Sequence, residues 1–409
     1  MKFNPFLPAF RSDPYPTYHY LRTHDPVHKI RGFTRGWLLT RYTDAIAVLG
    51  DRRFVVDDLP DRLEHKGSQF KHWQSFDVLR QTIGQWLFFL NPPDHTRLRS
   101  LVSKAFSPSM VERLRPQIQT IVNELIANVH QTGKMDLMAD FARPLPALVT
   151  AQLLGISAHD REQLVEWAIQ LFRVFDQPLS LEEYGSLELV AQEMRDYFRD
   201  AIATKAVHPQ DDLLSDLVQI QQQGISLSQD ELLSLCTMLF SVGQETTENL
   251  IGNGMLALLH HPEQLTQIKQ DPSLITSAVE ELMRYDSPVQ LIGRDVQVDV
   301  EIGGKRICAG EKVIVCLGAA NRDPAQFPDP DRLDFSRCHR PLPFGTGIHY
   351  CLGAALARVQ GQVAISTLIQ TLPQLALSPA PLEWRGNLVL RGLKSLNVTF
   401  AQPAPLSYG

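Results

Sequence analysis

The stretch 228–260, SQDELLSLCTMLFSVGQETTENLIGNGMLALLH, constrains the fold of this chain more than any other. Ser228 with Glu231 three positions on is the Ser-x-x-Glu pattern of a helix-capping box, and the residues beyond it are apolar on nearly every face. A helix of that kind is buried on all sides, and at ~1.5 Å per residue it runs about 50 Å. Only a large domain built around it can cover such a helix. With 409 residues and 44% hydrophobic content, the chain can supply that core. No Gly/Ser linker, low-complexity tract or repeat marks a boundary, so residues 1–409 are expected to form one domain.

Most other segments also read as helix. DHTRLRSLVSKAF (94–106) comes after Pro92-Pro93, with Asp94 expected as an acidic cap. ITSAVEELMRYD (275–286) is a helix ended by Ser287-Pro288, and a last one is expected from about Leu352 to Leu372. A short β region comes after the second of these. Val296, Val298, Val300 and Ile302 alternate, the chain turns at Gly303-Gly304, and strand resumes at Val313 to Val315. RDPAQFPDPDRLDFSR is a Pro/Asp-rich segment expected as a loop over the surface. The fold class is mainly α: α-rich α+β, one large helical domain with small β-sheets.

A formal net charge of −6 argues against general affinity for nucleic acid. No apolar run approaches the roughly 20 residues of a membrane-spanning helix. The start, MKFNPFLPAF, places Pro5 and Pro8 where a signal peptide needs an unbroken apolar stretch. A cytoplasmic, monomeric protein is expected. The cysteines are Cys236, Cys308, Cys316, Cys338 and Cys351. Their odd number and the lack of CxxC spacing suggest neither a disulfide framework nor a zinc ribbon. Four are expected as small buried hydrophobes.

Cys351 differs. It lies just after the Gly-rich turn of LPFGTGIHYCLGAALAR (342–358) and precedes an Ala/Leu-rich helix. A turn entering a helix N-terminus presents unpaired N–H groups and partial positive charge, which favour a thiolate. Nucleophilic catalysis, redox sensing and metal ligation all use such a group. His349 is the neighbouring base, but in a turn two such side chains usually point apart. A zinc site lacks further Cys/His ligands at suitable spacing. One thiolate suffices where the metal brings its other ligands with it, as haem iron does. A buried structural thiol fits the residue taken alone.

The neighbours decide. FGTGIHYCLG resembles the Phe-Gly-x-Gly-x-His-x-Cys-x-Gly signature of the cytochrome P-450 superfamily, the haem-thiolate monooxygenases. EELMR supplies that family's Glu-x-x-Arg as Glu281 and Arg284, three residues apart on one helix face. VGQETT resembles the oxygen-activating motif, set mid-way along the long helix where polar residues are costly. Read without the family, Thr246 could bond back to a carbonyl one turn earlier and Glu245 could pair with a core cation. NPPDHTRLR, LIGRDV, GAANRDP and FPDPDRLDFSR match in order, so the resemblance covers about Pro92 to Phe400.

The resemblance implies that Cys351 is the thiolate ligand of haem b (iron protoporphyrin IX), held between the long helix and the helix after the cysteine loop. Gly345, Gly347 and Gly353 let the backbone pass close to the sulfur, and Phe344 shields that side of the porphyrin. His95, Arg99, Arg294 and His349 would neutralise the propionates. Gly243 leaves room for O2, Thr246 would bond the bound oxygen, and Glu245 would feed protons. Val242 departs from the usual family Ala, and its bulkier side chain narrows the space over the haem. Glu281 and Arg284 are structural. The family's geometry suggests substrate contacts at about Leu59 to Leu90, at Leu239, Val242, Val289, Leu291 and Ile292, and at Val389 and Leu390. Their apolarity implies a hydrophobic substrate.

The function expected is a monooxygenase that hydroxylates or epoxidises an apolar compound with O2. Electrons would come from a separate ferredoxin or flavodoxin and its reductase, docked over Arg97, Lys104 and Arg340. A peroxide-driven peroxygenase and a non-catalytic haem sensor are the alternatives. The Glu245-Thr246 pair argues against both.

Overall fold

The computed structural model describes residues 3–30, 36–56, 76–175, 179–224 and 227–401. Its long helix runs from Gln229 to His260, starting where the capping box directs. Ser228 Oγ accepts from the Glu231 N–H at 3.2 Å, and the Glu231 carboxylate accepts from the Ser228 N–H at 2.8 Å. Two orphan donors of the first turn are thereby satisfied.

The helices that bear on the site, in chain order, are α1 (Asp94–Val102), α2 (Arg115–Val129), α3 (Pro144–Leu153), α4 (Arg161–Phe172), α5 (Leu181–Val207), α6 (the long helix, Gln229–His260), α7 (Ile275–Tyr285) and α8 (Ala354–Thr371). Helix α6 packs on α3, α4, α5, α7 and α8. Its two halves enter different cores. Leu232, Leu235, Cys236 and Phe240 join one with α4 and α5, while Leu250, Ile251, Met255 and Leu258 join another with α2, α7 and α8. Each of the Leu, Ile, Met and Phe side chains among them stabilises by about 1.5–3 kcal/mol when fully buried, so α6 ties together two masses of apolar contact.

The strands are β1 (Val27–Ile30), β2 (Gly36–Leu39), β3 (Phe54–Val55), β4 (Lys134–Asp136), β5 (Leu291–Val296), β6 (Val300–Ile302), β7 (Lys305–Ile307), β8 (Lys312–Cys316), β9 (Ala376–Leu377), β10 (Glu383–Trp384), β11 (Leu393–Ser395) and β12 (Asn397–Thr399). Five form a mixed sheet in the order β1-β2-β8-β5-β3. Within it β2 and β8 run parallel and the other neighbours antiparallel. Strands β10 and β11 pair as a hairpin near the C-terminus.

Five expectations need correction. Asp94 is the first helical residue of α1 rather than its cap, because Pro93 holds the cap position and the Asp94 carboxylate turns to Arg97 at 3.2 Å. That helix also stops at Val102, short of residue 106. The alternation from Val296 to Ile302 is not one strand: β5 ends at Val296, β6 begins at Val300, and Val298 between them is 48% exposed. The turn at Gly303-Gly304 stands, with φ of +56° and +73°. Cys236 and Cys316 are buried, but Cys308 and Cys338 are exposed, since each lies in an irregular segment outside the cores. Finally, the 322–337 segment is no mere surface loop, for Arg322, Asp323, Phe327 and Leu333 are all buried. Among the described residues no helix is long and apolar enough to cross a membrane.

Candidate functional site

The cysteine loop is closed by its own backbone. Gly345 and Gly347 take φ of +66° and +76°, a left-handed conformation that side chains resist. At Gly347 the carbonyl of Leu49 leaves no room for a Cβ. These two turns bring the Cys351 N–H to the Phe344 carbonyl at 3.1 Å, and α8 starts three residues later. The Phe344 ring lies 4.5 Å beneath the Arg358 guanidinium.

Cys351 is accessible on one side and deep in protein on the others. Burial pushes its thiol above the ordinary range, opposed by the Gly353 N–H and the cations of Arg99 and Arg358. A side chain that is both deep and uncovered lines an internal hollow.

The histidines beside it tell the same story. His95 is 2% exposed, and neither of its ring nitrogens has a hydrogen-bond partner. Its ring sits 4.2 Å from that of His349. Burial lowers the His95 pKa, and Arg99 lowers it further. His349 is pushed down to about 3 by burial and by Arg294, His95 and Arg99. Arg294, 7% exposed, bonds the Gly293 carbonyl at 2.8 Å. Positive or proton-accepting groups converge here, and orphaned imidazole nitrogens are rare in a finished core. The cluster fits an anionic group lying against it.

Helix α6 carries a second set of incompletely buried positions. Between Leu232 and Leu258 every residue is buried except Leu239, Val242, Gly243, Glu245 and Thr246. Four of these, Leu239, Val242, Gly243 and Thr246, fall at i, i+3, i+4 and i+7, which is one face of a helix. The expectation of burial on all sides therefore fails on one narrow stripe. Leu239, Val242 and Leu352, the residue after the cysteine, border the same apolar cluster. At Gly243 an added Cβ would meet nothing nearer than Thr150 Oγ1 at 3.6 Å, so protein packing does not demand glycine there. Thr246 Oγ1 donates to the Val242 carbonyl at 3.4 Å. Glu245 lies off the stripe and pairs with Arg385 at 3.1 Å.

Glu281 and Arg284 are 4% and 1% exposed, so they are no surface pair. Arg284 donates to both Glu281 carboxylate oxygens, at 2.7 and 2.9 Å, and to the carbonyls of Asn321, Pro330 and Arg332. Glu281 also accepts from the Asp334 N–H and from Arg337. Asn321 in turn accepts from the Leu342 N–H, where the cysteine loop begins. The pair thus anchors the segment that leads into the loop.

The expected substrate contacts divide. Val289 bridges Leu390 and the Gln290 N–H meets the Val389 carbonyl at 2.8 Å, so these come together with Ile292, which lies under Gly345. Leu291 does not join them. It points to the other side of β5, into a core with Tyr18, Leu38 and Cys316, as strand alternation requires. Residues 59–75 of the Leu59 to Leu90 stretch lie outside the described residues; of the remainder, Trp86 and Leu87 are buried. Of the expected docking residues, Arg97 pairs with Glu231 and Asp94. Lys104 and Arg340 are exposed. Sequence reasoning missed Arg385, Arg143 and Glu248 altogether. Only Glu248 left a signal, as a second acid one turn from Glu245 in an apolar helix.

Fold and site together define an α-rich protein with an uncovered cysteine at the start of its last long helix and a cluster of histidine and arginine side chains, the unpartnered His95 among them. The chain belongs to the cytochrome P450 family: the family model "Cytochrome P450" matches residues 49–378. It is 39% identical over 394 residues to "Biotin biosynthesis cytochrome P450" of Bacillus subtilis (strain 168), covering 96% of this chain and 97% of that protein. It is 38% identical over 398 residues to "6-deoxyerythronolide B hydroxylase" of Saccharopolyspora erythraea, covering 95% and 96%. The crystal structure of P450BioI in complex with hexadec-9Z-enoic acid ligated acyl carrier protein superposes with a TM-score of 0.89 at 39% identity, over 96% of this chain and 99% of that one. The chain is an oxidoreductase of the P450 monooxygenase type, with a haem-iron cofactor.

Proposed function

We propose that this enzyme carries haem b and inserts one atom of O2 into a C–H bond or alkene of an apolar substrate. Electrons would be delivered by a separate ferredoxin or flavodoxin with its reductase. The observation that supports this most is the open stripe of Leu239, Val242, Gly243 and Thr246 on an otherwise buried helix, in a protein whose deep thiol has one uncovered side.

Cys351 would bind the iron as thiolate, with the Gly353 N–H, Arg99 and Arg358 stabilising its charge. His95, Arg99, Arg294 and His349 would bind the propionates, which explains why His95 has no partner among the protein's own atoms. Phe344, with Gly345 behind it, would keep water from the sulfur. The bound haem supplies the activation of O2, favoured by thiolate ligation. On the other face Gly243 leaves space, and Thr246 Oγ1 would leave the Val242 carbonyl to hold a proton near the reacting oxygen. Glu245 would replenish that proton from solvent.

Leu239, Val242, Val289, Ile292, Val389 and Leu390 would line the substrate side. Relatives named for an acyl-carrier complex and for a macrolide hydroxylase favour a long aliphatic or polyketide-like substrate. The electron carrier would dock on the cysteine side. There Lys104 and Arg340 offer positive charge, and Ile348 and Tyr350 are 48% and 38% exposed. The test is the absorption of the reduced enzyme with carbon monoxide. We expect the far-shifted Soret band of sulfur ligation, lost in Cys351→Ala; an unchanged band in that variant would refute the assignment.

A further inference from the structure

Helix α6 has a second functional face, turned away from the stripe. With 3.6 residues per turn, Ser241, Gln244 and Glu248 lie opposite Leu239, Val242, Gly243 and Thr246, and Glu245 sits on the shoulder between. These residues border a groove of about 310 Å³ lined also by Arg143, Ile169, Phe172 and Arg385. Arg385, at the end of β10, is fixed by its N–H to the Gly392 carbonyl at 2.9 Å and its Nε–H to the Leu393 carbonyl at 3.2 Å. Its two terminal nitrogens go to different carboxylates: Nη1 to Glu245 at 3.1 Å and Nη2 to Glu248. Glu248 is 4% exposed and takes a second cation, Arg143, at 3.2 Å.

An ionised Glu245 held by a guanidinium has no proton to give. To carry one it must leave Arg385, and that departure is easy only if the arginine's charge is satisfied elsewhere. Glu248 is the acceptor already in place. We propose that Arg385 is a positioning residue for the proton relay, and that Glu248 sets how tightly it holds Glu245. The inference rests on Glu245 being the relay acid. In each cycle Glu245 takes a proton from water in the groove, turns past Val242, and releases it on the Thr246 side. It then returns to Arg385 as carboxylate, so the carboxyl group is unchanged overall.

The test uses the haem-loaded enzyme with substrate and a surrogate redox chain. Glu248→Gln should leave Arg385 wholly on Glu245. Turnover should fall roughly tenfold, with a larger solvent isotope effect and more reductant lost to peroxide. The double variant E248Q/R385Q should recover turnover to within about threefold of wild type, which a merely structural Glu248 would not allow. In the infrared spectrum of the resting enzyme, the carboxylate band that disappears in Glu245→Gln should shift in E248Q. If E248Q does not fold, Arg385→Gln alone should shift that band and lower the isotope effect. Unchanged turnover in E248Q, a double variant no better than the single one, or an unmoved Glu245 band would overturn the inference. Should Glu245→Gln itself keep full turnover and a normal isotope effect, the relay reading falls first and this one with it.

Discussion

His95 carries the site's chemistry in its least stable form. An imidazole at 2% exposure with two unpartnered nitrogens costs about 1–3 kcal/mol relative to an apolar group of its shape. Such a residue persists because something outside the chain satisfies it. His95→Leu should therefore stabilise the haem-free protein by about 1 kcal/mol in urea unfolding, yet speed haem loss to an acceptor globin. A variant that destabilises the apoprotein and holds haem normally would make His95 an ordinary core residue. The sequence marked this histidine through its motif, but not its lack of partners, which depends on His349 arriving from more than two hundred positions away. The buried state of Glu281 and Arg284 was hidden in the same way. Three residues of spacing predict a shared face, whereas the carbonyls of Asn321, Pro330 and Arg332 that bury the pair come from a loop with no periodicity.

At the scale of elements, α6 was the most legible part of the chain, since capping box and apolarity are both local signals. Which face stays open was not legible, because a helix apolar all round conceals any direction. Strand β5 failed similarly: parity placed Leu291 and Ile292 on opposite sides, and only the sheet order decides which side meets the site. Two glycines show how an element divides its work. Gly361 of α8 has Leu250 Cδ2 at 3.0 Å from where a Cβ would be, so it exists to let α8 approach α6. Gly243 has no such neighbour, and glycine inside a helix costs roughly 1 kcal/mol against alanine. Gly243→Ala should thus raise apoprotein stability by about 1 kcal/mol while weakening carbon monoxide binding to the reduced enzyme. Loss of stability in that variant would mean that packing, and not the distal space, dictates the glycine.

Over the whole molecule, contacts distant in sequence were the hardest to foresee. Arg385 reaches Glu245 and Glu248 across the chain, and Arg97 pairs with Glu231 from another helix; no short pattern encodes either choice. The sequence did convey the existence of a large α-rich body with small sheets. The two cores give that body an uneven stability. Leu250 to Leu258 of α6 are locked among α2, α7 and α8, whereas the 239–246 stripe is only partly buried and Cys351 is exposed. Cooperative units of a protein open separately, with free energies from near zero up to the global value. Removing haem should therefore act locally: amide exchange at 239–246 and 344–353 should quicken by at least about tenfold, with 250–258, α7 and α8 nearly unaffected. Hydrogen-exchange mass spectrometry on the apo and loaded enzyme reads both regions in one experiment. A uniform change along α6 would show instead that the helix responds as one unit and that the two cores are not energetically separate.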